Sequence, residues 1–189
     1  MKVYDAIMKR RSIRKFEQKK IDKSDLIKLI DCARYAAYGA NTQPLKFMII
    51  DDDKKCGDIF PFIKWAAYLS NGAPKENERP TAYIAILGDS LIKPAKSFET
   101  EAGAAVTTMM LEAVEMRLGS CWLGAIDRAK IKTALSIDDK FELVYLLALG
   151  YPAQESKPTQ MTNGDVKYFL DENNIMNVPK RSLEEIIVE

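Results

Sequence analysis

The segment from Phe98 to Leu118 constrains the fold more than any other. It is rich in alanine and methionine, contains no proline and is apolar around most of its circumference. A helix of that kind belongs at the centre of a fold or against another subunit. Met109, Met110 and Met116 recur at helical spacing, which suits packing better than a soft-metal site. Four short apolar runs read as strands around it: Phe47–Ile50, Ala82–Leu87, Cys121–Ala125 and Leu143–Leu149. Ser24 is a favourable N-cap for another helix, whose apolar side carries Leu26, Leu29, Ile30 and Ala33. That helix is expected to run to Tyr38-Gly39-Ala40, where glycine permits a left-handed turn. Asp127 caps a further helix that ends near Leu135. Strands and helices do not alternate regularly, and no G-x-G-x-x-G loop follows a strand. Both facts argue against a doubly wound dinucleotide-binding fold. The absence of G-x-x-x-x-G-K-[S/T] argues equally against a P-loop nucleotidase.

Residues 54–80 read as irregular. Trp65 and Tyr68 fall on a short helix, and Gly72, Pro74 and Pro80 interrupt the pattern. A stretch of this length within a compact domain suits a lid over a pocket. Asp51-Asp52-Asp53 reads as a solvated strand end, since its spacing fits no calcium loop.

At 189 residues the chain is expected to form one domain, 1–189, large enough to bury about 70% of the surface it exposes when unfolded. Its 28 basic and 27 acidic residues leave a net charge of +1, which gives no support for a nucleic-acid partner. There is no histidine. That removes mixed Cys/His zinc sites, histidine-activated nucleophiles and histidine general bases. Catalysis must then use carboxylates, lysine, tyrosine or a cofactor. Cys32, Cys56 and Cys121 leave one thiol unpaired under any disulfide scheme, which favours a reducing compartment. Met1–Asp5 leads into charge rather than an apolar signal segment, and Leu143–Leu149 is far too short to span a bilayer. The expectation is a soluble, cytoplasmic protein with no membrane partner and no metal.

Arg10-Arg11-Ser12-Ile13-Arg14-Lys15-Phe16 stands at the end of a short helix over Val3–Met8. Cations there complement the helix dipole. Three arginines and a serine within five positions also suit a phosphate, because guanidinium groups fork onto its oxygens and a hydroxyl adds a neutral donor.

The RRSIRKF run resembles the N-terminal signature of the FMN-dependent nitroreductase family. Asn41-Thr42-Gln43-Pro44-Leu45-Lys46-Phe47 resembles that family's N-x-Q-P-W-x-F segment, with leucine where tryptophan is common. Leu118-Gly119-Ser120-Cys121-Trp122-Leu123-Gly124 resembles its G-L-G-x-C-W-x-G segment. The resemblance implies an α+β, three-layer α/β/α sandwich with a mainly antiparallel central sheet, built as an intertwined homodimer. It implies noncovalent FMN in a cleft between subunits, with NAD(P)H as co-substrate and a small-molecule electron acceptor.

Residue roles follow from the matched positions. Arg10 and Ser12 match residues that hold the phosphate and ribityl chain, with Arg11 between them. Arg14 matches a basic residue at the pyrimidine edge of the flavin, where a fixed cation stabilises the charge that reduction brings. Asn41 and Gln43 offer amides to the isoalloxazine edge from the partner subunit. Tyr38-Gly39-Ala40 before them departs from the family's proline-serine-serine. Leu123-Gly124 offers backbone groups near N5, where glycine allows close approach. Lys180 and Arg181 resemble the basic pair that completes the phosphate site, on an extension (160–189) expected to cross to the partner. No side chain is needed as nucleophile or general base, because the chemistry takes place at flavin N5. The activity implied is ping-pong reduction of nitroaromatic, quinone-like or related acceptors. Dehalogenation, flavin fragmentation, dehydrogenation or a non-catalytic flavin module are the alternatives.

Overall fold

The computed structural model describes residues 1–93 and 97–188. Four strands, β1 (Leu45–Ile50), β2 (Ala82–Asp89), β3 (Gly119–Leu123) and β4 (Phe141–Gly150), form an antiparallel sheet in the order β1-β2-β4-β3. Its two faces carry separate cores. Ile84, Ile86, Val144, Leu147 and Leu149 pack under α2 (Lys23–Arg34) and α4 (Glu99–Glu115). Tyr83, Ala85, Leu87, Leu146 and Ala148 pack under α3 (Asp53–Ile59) and α5 (Arg128–Ala134). Alternate residues of β2 therefore point into opposite cores, and all its positions are buried. This is the expected three-layer α+β sandwich. Covering both faces explains why antiparallel strands read as continuous apolar runs rather than alternating ones. Gly88 lies where any Cβ would fall 2.2 Å from the Phe98 ring, so the entry to α4 needs a bare backbone beneath it.

A bulge interrupts β4 where β2 pairs Ile86 with Tyr145 but Leu87 with Leu143. The Val144 carbonyl at the bulge accepts a hydrogen bond from Arg128 (2.9 Å). The Tyr145 ring stands edge-on to Trp122, with centroids 5.0 Å apart.

Several local expectations are corrected. α2 begins after Asp22 rather than Ser24 and ends at Arg34, well before Gly39. The left-handed residues beyond it are Ala40, Asn41 and Gln43, with φ near 50° (49°, 53° and 48°), and not the glycine. Residues 54–80 are less irregular than expected, because α3 occupies their start. Asp52 caps it by accepting from the Lys55 amide (2.9 Å). Trp65 and Tyr68 lie beyond that helix, after a 3-10 turn at Phe60–Phe62. A second, three-stranded sheet had no counterpart in the sequence reading: β5 (Ser156–Gln160), β6 (Phe169–Leu170) and β7 (Met176–Lys180), in the order β5-β7-β6. Two short helices complete the chain, α1 (Val3–Lys9) and α6 (Leu183–Ile186). Among the described residues, no helix is long and apolar enough to cross a membrane.

Candidate active site

The basic run leaves α1 and immediately joins the sheet. Ser12 makes a parallel bridge with Ser120 of β3, and the Ile13 amide donates to the Ser120 carbonyl (2.9 Å). Ile13 packs on Gly119, whose missing side chain makes room for it. The segment then continues past β3, with the Arg14 amide held by the Gln154 side chain (3.1 Å) and Phe16 fully buried.

The buried Cys121 thiol of β3, pushed up by burial, feels the opposing charges of Arg14 and Arg10, which places both near that strand. The Arg11 guanidinium between them bonds the Met8 carbonyl and lines a cavity of about 460 Å³ with Lys9, Ile13 and Arg117.

The last residue of β7, Lys180, comes to the same place. Burial and then the charges of Arg11 and Arg10 lower its pKa, and burial and Arg10 lower that of Arg11. Among the described residues, no carboxylate pairs with Arg10, Arg11, Arg14 or Lys180, although Lys15 pairs with Glu78 (3.2 Å). Cations this near one another, with no carboxylate paired to them among the described residues, suit an anionic ligand. Arg181 does not join them. It is exposed and reaches Glu185 at 3.4 Å.

From Ser120, β3 leads to Leu123 and Gly124. That is about 10 Å of strand, at 3.3 Å per residue. A side chain at Gly124 would press on Tyr145. The bare glycine thus keeps the backbone open beside the re-aimed tyrosine.

Tyr38, Gly39, Ala40, Asn41 and Gln43 lie elsewhere. Tyr38 donates to the Ala33 carbonyl (2.9 Å), and Gly39 abuts Glu101 in the first turn of α4. Asn41 and Gln43 are exposed, and among the described residues their side chains bond only within the pair, Gln43 Nε2 donating to Asn41 Oδ1 (3.0 Å) and to the Asn41 carbonyl. Ser12 is bridged to the strand that leaves the last turn of α4. A helix of 17 residues rises about 25 Å. Within one chain the amide group and the cation group thus stand at opposite ends of α4.

Three contributors had no signal in the sequence reading. Gln154 fixes the Arg14 backbone. Glu101 is a buried acid paired with Lys93 (2.8 Å), hidden within an otherwise apolar helix. The Tyr168 ring faces the Arg14 guanidinium, with the ring centroid 4.8 Å from it, and the Tyr68 ring centroid lies 5.0 Å from that of Tyr168. No periodicity marks residues from segments so far apart.

Tyr168 is carried on the β6–β7 unit, which hangs on Asp171. One carboxylate oxygen accepts from the Asn173 and Ile175 amides, the other from Asn177 and Lys157. The Asn177 side chain and these partners hold the Asp171 carboxyl down at about 2. A depressed folded pKa means that the tie is complete above the ordinary aspartate range and is lost as pH falls from about 4 through about 2. Amide exchange at Asn173 and Ile175 should accelerate across that window in the native protein. Asp171→Asn should show fast exchange already at neutral pH. Unchanged protection in the variant would show that the turn does not depend on the carboxylate.

Comparison with known proteins gives the family and the fold. Residues 7–83 and 80–151 match the family model described as the Nitroreductase family. An Archaeoglobus fulgidus protein assigned as an NADH dehydrogenase/NAD(P)H nitroreductase is 27% identical over 158 residues, covering 79% of this chain and 84% of that protein. The 5,6-dimethylbenzimidazole synthase of Rhodospirillum rubrum is 24% identical over 170 residues, covering 77% of this chain and 80% of that enzyme. Among solved structures, a Desulfovibrio desulfuricans protein assigned as a nitroreductase, in complex with FMN, superposes with a TM-score of 0.73. It is 26% identical and covers 100% of this chain and 96% of its own.

Proposed function

Because the chain belongs to the nitroreductase family, we propose that it is an FMN-dependent oxidoreductase that takes hydride from NAD(P)H and reduces nitroaromatic, quinone-like or related acceptors by a ping-pong cycle. The observation that carries this reading is the docking of the basic run on β3, through the Ser12–Ser120 bridge and the Ile13 amide, on the strand that leads to Gly124. Lys180 comes near enough for the charges of Arg11 and Arg10 to lower its pKa, and among the described residues no carboxylate pairs with these cations. The donor set fits a terminal phosphate. Guanidinium and ammonium groups meet its charge, and the Ser12 hydroxyl adds a neutral donor. A single such cluster suits a mononucleotide better than a dinucleotide.

When bound, FMN supplies the hydride chemistry, and the protein supplies binding, orientation and charge. Arg10, Arg11, Ser12 and Lys180 hold the phosphate and ribityl chain. Arg14 fixes a positive charge at the pyrimidine edge. Leu123-Gly124 present backbone groups toward the reacting edge. Asn41 and Gln43 complete the site from a second copy, which is the role their distance from Arg10 within one chain leaves them. Their left-handed backbone presents both amides outward, and exposed amides there serve a ligand shared between copies. The assembly is thus an intertwined homodimer with two sites, to which the 160–189 extension contributes Lys180. The 54–80 region, whose Tyr68 packs on Tyr168 and whose Glu78 pairs with Lys15, shapes the acceptor pocket.

The likeness to 5,6-dimethylbenzimidazole synthase favours a second reading in which fold and flavin stay the same and the acceptor chemistry differs. Purified protein tests the first reading. It should be yellow, with a spectrum close to that of free FMN, and NAD(P)H should bleach it without oxygen. Heat should release FMN and not FAD. A colourless protein that takes up no added FMN overturns the proposal. A flavin that NAD(P)H leaves oxidised favours the second reading.

A further inference from the structure

We infer that Tyr168 is a positioning residue for Arg14, and that the β5–β6–β7 unit carrying it is a clamp on the flavin site; the inference rests on the flavin reading above. Residues 152–188 lie outside the segments that match the family model. They nevertheless return to the most sensitive part of the site from two sides. Gln154 holds the Arg14 backbone amide, and Tyr168 holds its guanidinium.

Arg14 needs such a hold. Its side chain is only half-buried and has no carboxylate partner among the described residues. Among the described residues its one side-chain hydrogen bond, to the Ser12 carbonyl, is long at 3.5 Å. An arginine left this free samples many rotamers, and a cation that wanders stabilises developing charge poorly. The Tyr168 ring offers an electron-rich face at cation–π distance and so restricts the guanidinium without neutralising it. A carboxylate in its place would cancel the charge the site uses.

The Tyr68 ring packs against the Tyr168 ring, tilted by 55°. The contacts Arg14–Tyr168 and Tyr168–Tyr68 tie the N-terminal segment, the region before β2 and the C-terminal unit together. The hydroxyl of Tyr168 plays no part in this arrangement, and the ring face does. Asp171, through its four bonds, keeps the ring at its station.

The test compares Tyr168→Leu, which keeps bulk and removes the π face, with Tyr168→Phe, which keeps the face. The readouts are the midpoint potential of the FMN-loaded protein and the dissociation constant of FMN. Tyr168→Phe should match the wild type. Tyr168→Leu should lose three- to tenfold in its preference for reduced over oxidised flavin, on the scale of one cation–π contact. That is a fall of about 15–30 mV at about 30 mV per tenfold for a two-electron couple. Asp171→Asn, which frees the unit without touching Arg14, should move the potential in the same direction. In the flavin-free protein the Arg14 side-chain resonances should show ring-current shifts in the wild type and Tyr168→Phe, and lose them in Tyr168→Leu. A Tyr168→Leu variant that keeps the wild-type potential overturns this inference alone. A wild-type chain that binds no FMN overturns the functional reading with it.

Discussion

Replacing Arg10 and Lys180 together by alanine should strip the protein of its flavin. In the proposed site each supplies a charge-assisted contact to the phosphate, and losing one costs roughly 1.5–3 kcal/mol. Two such losses weaken binding by about a hundredfold to ten-thousandfold. The same substitution should leave the flavin-free protein as stable as before or more so. Arg10 and Lys180 make no side-chain hydrogen bond or ion pair among the described residues, and the charge of Arg10 helps to lower the pKa of Lys180. Removing them relieves repulsion and sacrifices no internal partner. This opposite pair of signs, lower affinity with undiminished apo stability, separates a binding cluster from structural charges. Arg181→Ala is the control. Its guanidinium is exposed and paired with Glu185, so the variant should hold FMN nearly as the wild type does. Titration of apo protein with FMN, followed by flavin fluorescence, and melting curves with and without FMN report both quantities. Retention of wild-type affinity in the double variant would remove the phosphate from this cluster.

The central sheet was legible because burial on both faces writes itself into consecutive apolar residues. β2, with every position buried, is the clearest case. β3 was legible only in part. Gly119 and Ser120 belong to it through pairing with Gly150 and Leu149, and pairing leaves no local trace in a glycine and a serine. α3 was hidden because Lys54, Lys55, Gly57 and Asp58 dilute its apolar side to Cys56 and Ile59. The second sheet was hidden for a stronger reason. β5 is Ser-Lys-Pro-Thr-Gln, and its unit is held by an aspartate bonded to four partners and by little apolar burial beyond Met176. Candidate residues of the proposed site stand out in the sequence because they are gathered in short runs, as at Arg10–Arg14. Their supports do not stand out. Gln154, Tyr168 and Tyr68 act through contacts between distant segments, and a lone glutamine or tyrosine outside any period carries no mark of such a contact.

Removal of the C-terminal tip should break the assembly, and two truncations separate its roles. Deleting residues 178–189 takes away Lys180 along with most of β7, so both flavin and dimer should be lost. Deleting only residues 182–189 spares Lys180 and β7 but removes Leu183, Ile186 and Ile187, which are 65%, 58% and 63% exposed in the single chain. Apolar side chains gathered on one short helix in this way mark a contact surface. α1 adds Val3 and Tyr4, 72% and 69% exposed, to the unpartnered apolar surface. If α6 grips a second copy, the shorter truncation should sediment as a monomer at micromolar concentration. It should also bind FMN weakly, because Asn41 and Gln43 of the partner are no longer delivered, even though every cation of its own chain is intact. Loss of flavin without loss of a cation is the outcome that ties cofactor binding to assembly. Added FMN should in turn favour the dimer in the full-length protein, since a ligand held by both copies stabilises their association. A full-length chain that sediments as a monomer while holding its FMN would show that one copy suffices, and would leave the exposed amides at Asn41 and Gln43 without their proposed role.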